Sequence, residues 1–541
     1  MENIKKIALI LLIWLLAIFF ISVLQTSPIT ISLTKASVFQ IPVIFWLVML
    51  VSPFLLYIIA KDSKNPFVPL LCVILYFFLF YSYGLYFMSH PTFSDVISSV
   101  RFQDILSSTT HIGSQEINIE RYFNWPIYFI FSKMFASILG IGPIQTITLA
   151  FFSLLLIFPV LLSPFYNRNQ NVENTSIYFI IPAFYLTIGW HFINDQYVPQ
   201  FVGLIYLFIL FGLYLKYLQV KNNLFILLMI IFYALAVFTH PFIHIFFLVM
   251  IIIEITSSKF LEKKKQKIVS IGIIVSFFAI LVPYIGVYYK MLGSPTSETW
   301  WIFQRIVSER NTIVGGFTAQ PLFNLVPRIY DQIISQLTKV VMLGAIFIVA
   351  IGFLFYVLKN LKKRKLFDLN LIIASASWFV LGLTNIVMGQ RALQVAFLPL
   401  ARHFKYPHKL FSYLSKIAIV FILISPSIFI ANSMINGSII GDRYIQDYEE
   451  NLLGRFAENH VTNVTIILYP LNAYPGAYLS QSGLIKFREV FNGSYEYKWE
   501  KIDIVLNSPK LQKQLMYLNK TLPRDIYDSV VYNNKDIEMI D

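Results

Sequence analysis

The sequence predicts an all-α polytopic membrane protein of about 13 transmembrane helices, followed by a small extracytoplasmic α/β domain. Three observations predict it. Of 541 residues, 57% are hydrophobic and only 13% charged, with 51 Phe and a mean hydropathy of +0.68. Apolar runs of about 20 residues, the length that crosses a bilayer, recur from the N-terminus to about residue 433. Beyond residue 436 the composition shifts to mixed charge and short alternating patterns, over a stretch long enough for one domain.

Taken in order, the predicted spans are 7–24, 39–60, 67–88, 144–165, 176–193, 200–218, 223–240, 241–257, 268–289, 336–358, 369–388, 390–404 and 411–433. They divide into two N-terminal helices within residues 1–66 and a core over 67–435 with long loops at 89–143 and 290–335. The tail, 436–541, completes the chain. The first run has no small-residue cleavage site and reads as an uncleaved helix. The lone cysteine, Cys72, lies inside a span, so disulfides and cysteine metal sites are excluded.

Charge sets the orientation. Lys5, Lys6, Lys61, Lys64, Arg168, Lys216 and Lys221 fall on one side of the predicted spans. So do Lys259, the 263–267 cluster, the 359–365 cluster, Arg402, Lys405, Lys409 and Lys416, in all 21 of the 42 Lys and Arg. Positive residues in short loops mark the cytoplasmic side, which places the N-terminus inside and the tail outside. The net charge of +14 therefore reports membrane topology, not nucleic-acid binding. Residues 125–143 look like a span, but counting them would put Arg168 outside. They are expected to be a helix lying in or dipping into the outer interface. Four N-x-S/T sequons in the tail, at Asn436, Asn463, Asn492 and Asn519, agree with an outside tail. Strands are expected at Val464–Leu468 and Val530–Tyr532, helices near 443–458 and 509–518, and a turn at Asn533-Asn534.

The chemistry-bearing residues gather at the predicted outer mouth. Loop 89–128 is the longest polar interruption in the first 290 residues and holds Asp95, Asp104, Glu116 and Glu120. Carboxylates beside a bilayer are costly to place and mark candidate sites. Asp95 also closes a capping box begun by Thr92, which by itself explains an acid there. Loop 191–200 carries Asn194 and Asp195, which suit a solvated helix cap or a site facing Asp95. His240 stands four residues before His244 across Pro241, where an imidazole suits a metal or a phosphate, or simply satisfies a helix break. Arg391, at a helix end, presents a planar fork that fits a phosphate or a salt bridge within the bundle. Glu298 and Trp300-Trp301 lie in loop 290–335. No P-loop, GxSxG, HExxH or dinucleotide fingerprint is present.

An acid just after a span comes first, then an amphipathic stretch, then Tyr122-Phe123-Asn124-Trp125-Pro126 and an interfacial helix ending at Gly140-Ile141-Gly142. This order resembles the first external loop of GT-C fold membrane glycosyltransferases, of the polyprenyl-phosphate-sugar-dependent, mannosyltransferase-like kind. The resemblance spans roughly residues 67–260 and the Arg391 region. It implies an enzyme that moves a sugar from a polyprenyl (dolichyl-type) phosphate to a glycan, lipid or protein acceptor on the outer face. Asp95 would be the catalytic carboxylate, as general base or metal ligand. Arg391, His240, Asn194, Asp195, Glu298 and Trp125 would contact substrate, and a divalent metal, Mg or Mn, would sit on Asp95 and Asp195. The chain departs from the family in having a lone Asp95 where a D-x-D is usual, and it lacks the W-W-D-Y-G signature of oligosaccharyltransferases. Two other classes stay open on sequence: a transporter or flippase of a lipid-linked or charged substrate, and a non-catalytic membrane assembly protein.

Overall fold

The computed structural model describes residues 2–24, 42–61, 63, 65–81, 126–162, 199–240 and 243–258. It also describes isolated helical positions at 179, 182–183, 333–344 and 420–431, and strands between 466 and 540. Before residue 466 every regular element among them is a helix. The predicted spans 268–289, 369–388 and 390–404 lie outside the described residues.

Helix α1 is Glu2–Leu24, α2 Val43–Ala60 and α3 Phe67–Tyr81. α1 starts five residues before the predicted span, because Lys5 and Lys6 are good helix formers and nothing in Glu2–Ile7 breaks the run. It buries only a narrow stripe, with Ala8, Leu12 and Phe19 turned inward and the Phe19 ring 6.0 Å from that of Phe45 on α2. Its remaining faces are apolar and exposed, among them Ile7, Ile10, Ile18 and Trp14, the last at 65%. A soluble protein seldom exposes so large an apolar surface, whereas lipid covers it at no cost. α2 starts behind Pro42, whose fixed φ of −55° suits a helix entry. Asn65 Oδ1 accepts from Phe67 N at 3.0 Å and opens α3. α1, α2 and the later α6 are long and apolar enough to cross a membrane.

Helix α4, Ile127–Leu139, is apolar but 13 residues long. At 1.5 Å per residue it reaches about 20 Å, short of a hydrocarbon core of about 30 Å. Tyr128, Phe129, Ser132 and Ala136 form its buried face, and Ser132 Oγ donates to Tyr128 O at 2.7 Å, so the hydroxyl is satisfied within its own helix. Ile130, Phe131, Met134 and Ile138 face outward. Gly140 ends α4 with φ +64°, a left-handed cap that favours glycine. α5, Pro143–Leu161, starts three residues later with proline at its first position.

Helix α6 is Pro199–Val220, α7 Asn223–Val237 and α8 Ile243–Ser258. Two residues join α6 to α7. Lys221 takes a positive φ of 57°, and Asn222 caps α7 by accepting from Leu224 N at 2.9 Å. So short a link makes the pair antiparallel, with Tyr206 and Phe232 rings 6.1 Å apart. α8 then returns beside α6, Phe211 touching Phe246 and Phe247. α7 and α8 are shorter than the predicted spans 223–240 and 241–257, because α7 ends at Val237, ahead of Pro241, and α8 begins at Ile243.

Three ring contacts orient α5 against α6. Phe151 lies 5.4 Å from Phe201, and Phe158 lies 6.4 Å from Phe201 and 5.2 Å from Phe208. The pairs climb both helices in the same sense. Antiparallel helices sharing the first contact would hold Phe158 and Phe208 roughly 20 Å apart. α5 therefore begins at the end of the bundle where α6 begins.

Beyond residue 465, strands β1 (Ile466–Tyr469), β2 (Lys486–Glu489), β3 (Ile504–Asn507), β4 (Val530–Asn534) and β5 (Ile537–Ile540) form a mixed sheet of order β2-β1-β3-β5-β4. β1 is parallel to β2 and β3, while β5 is antiparallel to β3 and β4. The stretches between the parallel strands exceed a dozen residues, as a crossover requires. The sheet corrects one expectation. Asn533 and Asn534 pair with Glu538 and Ile537 inside the β4–β5 ladder, so they are strand residues, not the turn. The register leaves residues 535–536 to connect the strands, and the pairing shifts between Val530 and Tyr532. The helices expected near 443–458 and 509–518 lie outside the described residues.

Candidate functional site

The described part of the site is the corner between α7 and α8. α7 runs out through Phe238, whose N–H bonds to Ala234 O at 3.0 Å. Thr239 N and His240 N both reach back to Ala236 O, at 3.2 and 3.1 Å. Thr239 Oγ1 donates to Leu235 O at 2.6 Å, so its hydroxyl too is spent on the helix it ends. These bonds serve the last carbonyls of α7, which a following proline would otherwise strand. Thr239, His240 and His244 are all buried, His244 completely.

His244 Nδ1 lies 3.0 Å from His240 O. A carbonyl only accepts, so Nδ1 carries the proton and, in the neutral ring, Nε2 carries the lone pair. The ring stands edge-on to Tyr233 of α7, centroids 5.7 Å apart at 88°. The i, i+4 pair across Pro241 is thus joined ring to backbone. Spacing alone made the two imidazoles look equivalent. The structure makes one of them a strut for the other's main chain.

A second contact brings a distant segment to this corner. Ile127 N, at the start of α4, donates to Phe238 O at 3.3 Å. The bond brings the start of α4, just after Pro126, to the end of α7. The antiparallel α6–α7 pair sets Pro199, where loop 191–200 ends, at the same end of the bundle, and α5 begins there as well. The starts of α4, α5, α6 and α8 and the end of α7 thus lie toward one end of the bundle.

Of the candidate site residues the sequence singled out, His240 and His244 are described. Trp125 is two residues before Ile127, and Asn194 and Asp195 precede Pro199 by five and four residues. Those three, with Asp95, Glu298 and Arg391, lie outside the described residues. Sequence reasoning passed over Tyr233 and the role of the His244 ring. The i, i+4 spacing hinted at the second; the first depends on how α7 and α8 pack. Among the described residues, no three His, Cys, Asp or Glu side chains come together to hold a metal. The carboxylates expected to do so, Asp95 and Asp195, are not among them.

No family model matches this chain, and no curated protein matches it.

Proposed function

We propose that the chain is an integral membrane glycosyltransferase that transfers a sugar from a polyprenyl-phosphate donor to an acceptor hydroxyl at the outer face of the membrane. The observation that carries this is the Ile127 N to Phe238 O bond. It seats the end of the carboxylate-bearing loop 89–128 against the His240 corner, at the end of the bundle where loop 191–200 also delivers its chain. Residues from three separated segments can then converge at one membrane-level mouth, as transfer from a lipid carrier requires.

The remaining architecture belongs to the same proposal. About 13 spans, a cytoplasmic N-terminus and an extracytoplasmic α/β domain at 436–541 fit the charge pattern and the sheet after residue 465. A short α4 that starts beside the end of α7 and is followed by a helix starting at the same end supports an interfacial helix rather than a crossing. Its outward Ile130, Phe131, Met134 and Ile138 would face lipid.

In the reaction, the acceptor oxygen attacks C1 of the donor sugar and forms the new glycosidic bond. The bond from C1 to the phosphate oxygen breaks, and the electron pair leaves with polyprenyl phosphate. Asp95 takes the acceptor's proton as general base. Arg391, together with His240, stabilises the negative charge on the leaving phosphate. Trp125, Asn194, Asp195 and Glu298 would bind sugar and acceptor. A divalent metal on Asp95 and Asp195 would add a Lewis acid for the phosphate, but no step above depends on it.

The test is release of label from radiolabelled polyprenyl-phosphate monosaccharides by purified protein in nanodiscs, with and without Mg or Mn. Asp95→Asn should lower release by about 100-fold or more. Full activity in that variant would remove Asp95 from the chemistry, and no release from any donor would reject the enzyme.

A further inference from the structure

The corner contains a buried imidazole that the proposed reaction does not use. His244 lies on the second residue of α8, completely buried, with its ring against Tyr233 of α7 and its Nδ1–H on the carbonyl of His240. His240 is followed by proline, which has no N–H to give, and the chain must reverse from α7 to α8 within a few residues. His244 supplies the His240 carbonyl with a side-chain donor from four residues further on, across that proline. The carbonyl two residues earlier, on Phe238, is the acceptor for Ile127 N. His244 thus ties the first turn of α8 to the chain leaving α7, two residues from the carbonyl that receives Ile127 N.

We infer that His244 is a positioning residue, whose Nδ1–H on the His240 carbonyl fixes the corner that anchors the beginning of α4 and so the end of loop 89–128. The inference deepens the proposed glycosyl transfer by naming what holds the mouth in register. It assigns His244 no contact with substrate. Nδ1 is the working atom, and Nε2 is not.

That distinction gives the test. The amide nitrogen of Asn superimposes on Nδ1 of histidine, and that of Gln on Nε2. His244→Asn keeps a donor where the His240 carbonyl needs it, whereas His244→Gln moves the donor away and His244→Ala removes it. Hydrogen exchange is followed in the full chain in nanodiscs, over peptides covering 126–132 and 236–244, with 43–60 as an internal control for global folding. His244→Gln and His244→Ala should speed exchange at Ile127 and His240 by about five- to tenfold, the loss of one hydrogen bond's net contribution. His244→Asn should match wild type, and 43–60 should not change in any variant. In the donor-release assay, KM for the polyprenyl-phosphate sugar should follow the same order, rising for Gln and Ala and restored in Asn.

Exchange at Ile127 unchanged in all three variants would overturn the inference. So would rescue by Gln instead of Asn, which would make Nε2 the working atom. If wild type releases no sugar, the glycosyltransferase is refuted, while the exchange measurements still decide the role of His244.

Discussion

The placement of α4 rests on α5 and α6 running in the same sense, and one pair of rings tests it. Phe158 and Phe208 meet edge to face at 5.2 Å and 89°, both buried. Phe158 also touches Phe77 and Phe201. Phe158→Ala opens a void of roughly 100 Å³, which at about 24 cal/mol per Å³ costs about 2.4 kcal/mol. The transfer contribution that raises such losses in soluble proteins is small here, since an unfolded chain in lipid or detergent keeps the ring in an apolar setting. The edge-to-face pair adds a coupling of about 0.5–1.5 kcal/mol, measurable as the departure from additivity of Phe158→Ala, Phe208→Ala and the double variant. Reversible unfolding in mixed micelles, titrated with a denaturing detergent and followed by tryptophan fluorescence, reads all four proteins. Antiparallel helices would separate the rings and leave the variants additive within about 0.3–0.5 kcal/mol. That result would refute the shared sense of α5 and α6, and α4 would no longer return to the end where it began.

Further outcomes follow from single elements. Ile13 is exposed near the middle of α1, so Ile13→Asp should cost about 2.5–3.5 kcal/mol of membrane insertion, read as a smaller integrated fraction in a microsomal insertion assay. Unchanged insertion would place α1 outside the bilayer. Gly140→Ala should destabilise by about 1–2 kcal/mol through the left-handed backbone alone, because a Cβ there meets nothing within 4 Å. A lower thermal midpoint with an unchanged solution profile checks it. Asn222→Ala removes the acceptor for Leu224 N and should cost about 1 kcal/mol, with Asn222→Asp close to neutral, in the same thermal assay.

Much of the helical frame was legible because its cause is local. Apolar runs stop at residues that stop helices: Pro42 before α2, Asn65 before α3, Gly140 after α4, Lys221-Asn222 between α6 and α7. The described boundaries of α2, α5 and α6 fell within a few residues of the expected ones, α1 began earlier through Lys5-Lys6, α7 and α8 were shortened, and the expected end of span 67–88 lies outside the described residues. The strand patterns at 464–468 and 530–532 coincide with β1 and β4. The Asn533-Asn534 pair shows the limit. Asparagine favours turns by its own conformational preference, but the β4–β5 register is a property of two strands together, and it drew both residues into the ladder.

The candidate site was legible as residue types and not as an arrangement. The sequence by itself determined that the chain carries helices long and apolar enough to cross a membrane, because hydropathy acts residue by residue. Only the tertiary structure decided that the start of α4 is bonded to the end of α7, and that His244 grips the His240 carbonyl. It also decided that α5 runs with α6. These are contacts between segments up to about a hundred residues apart. They depend on which faces pack and at what height along the helices, and no periodicity in a single segment carries that information.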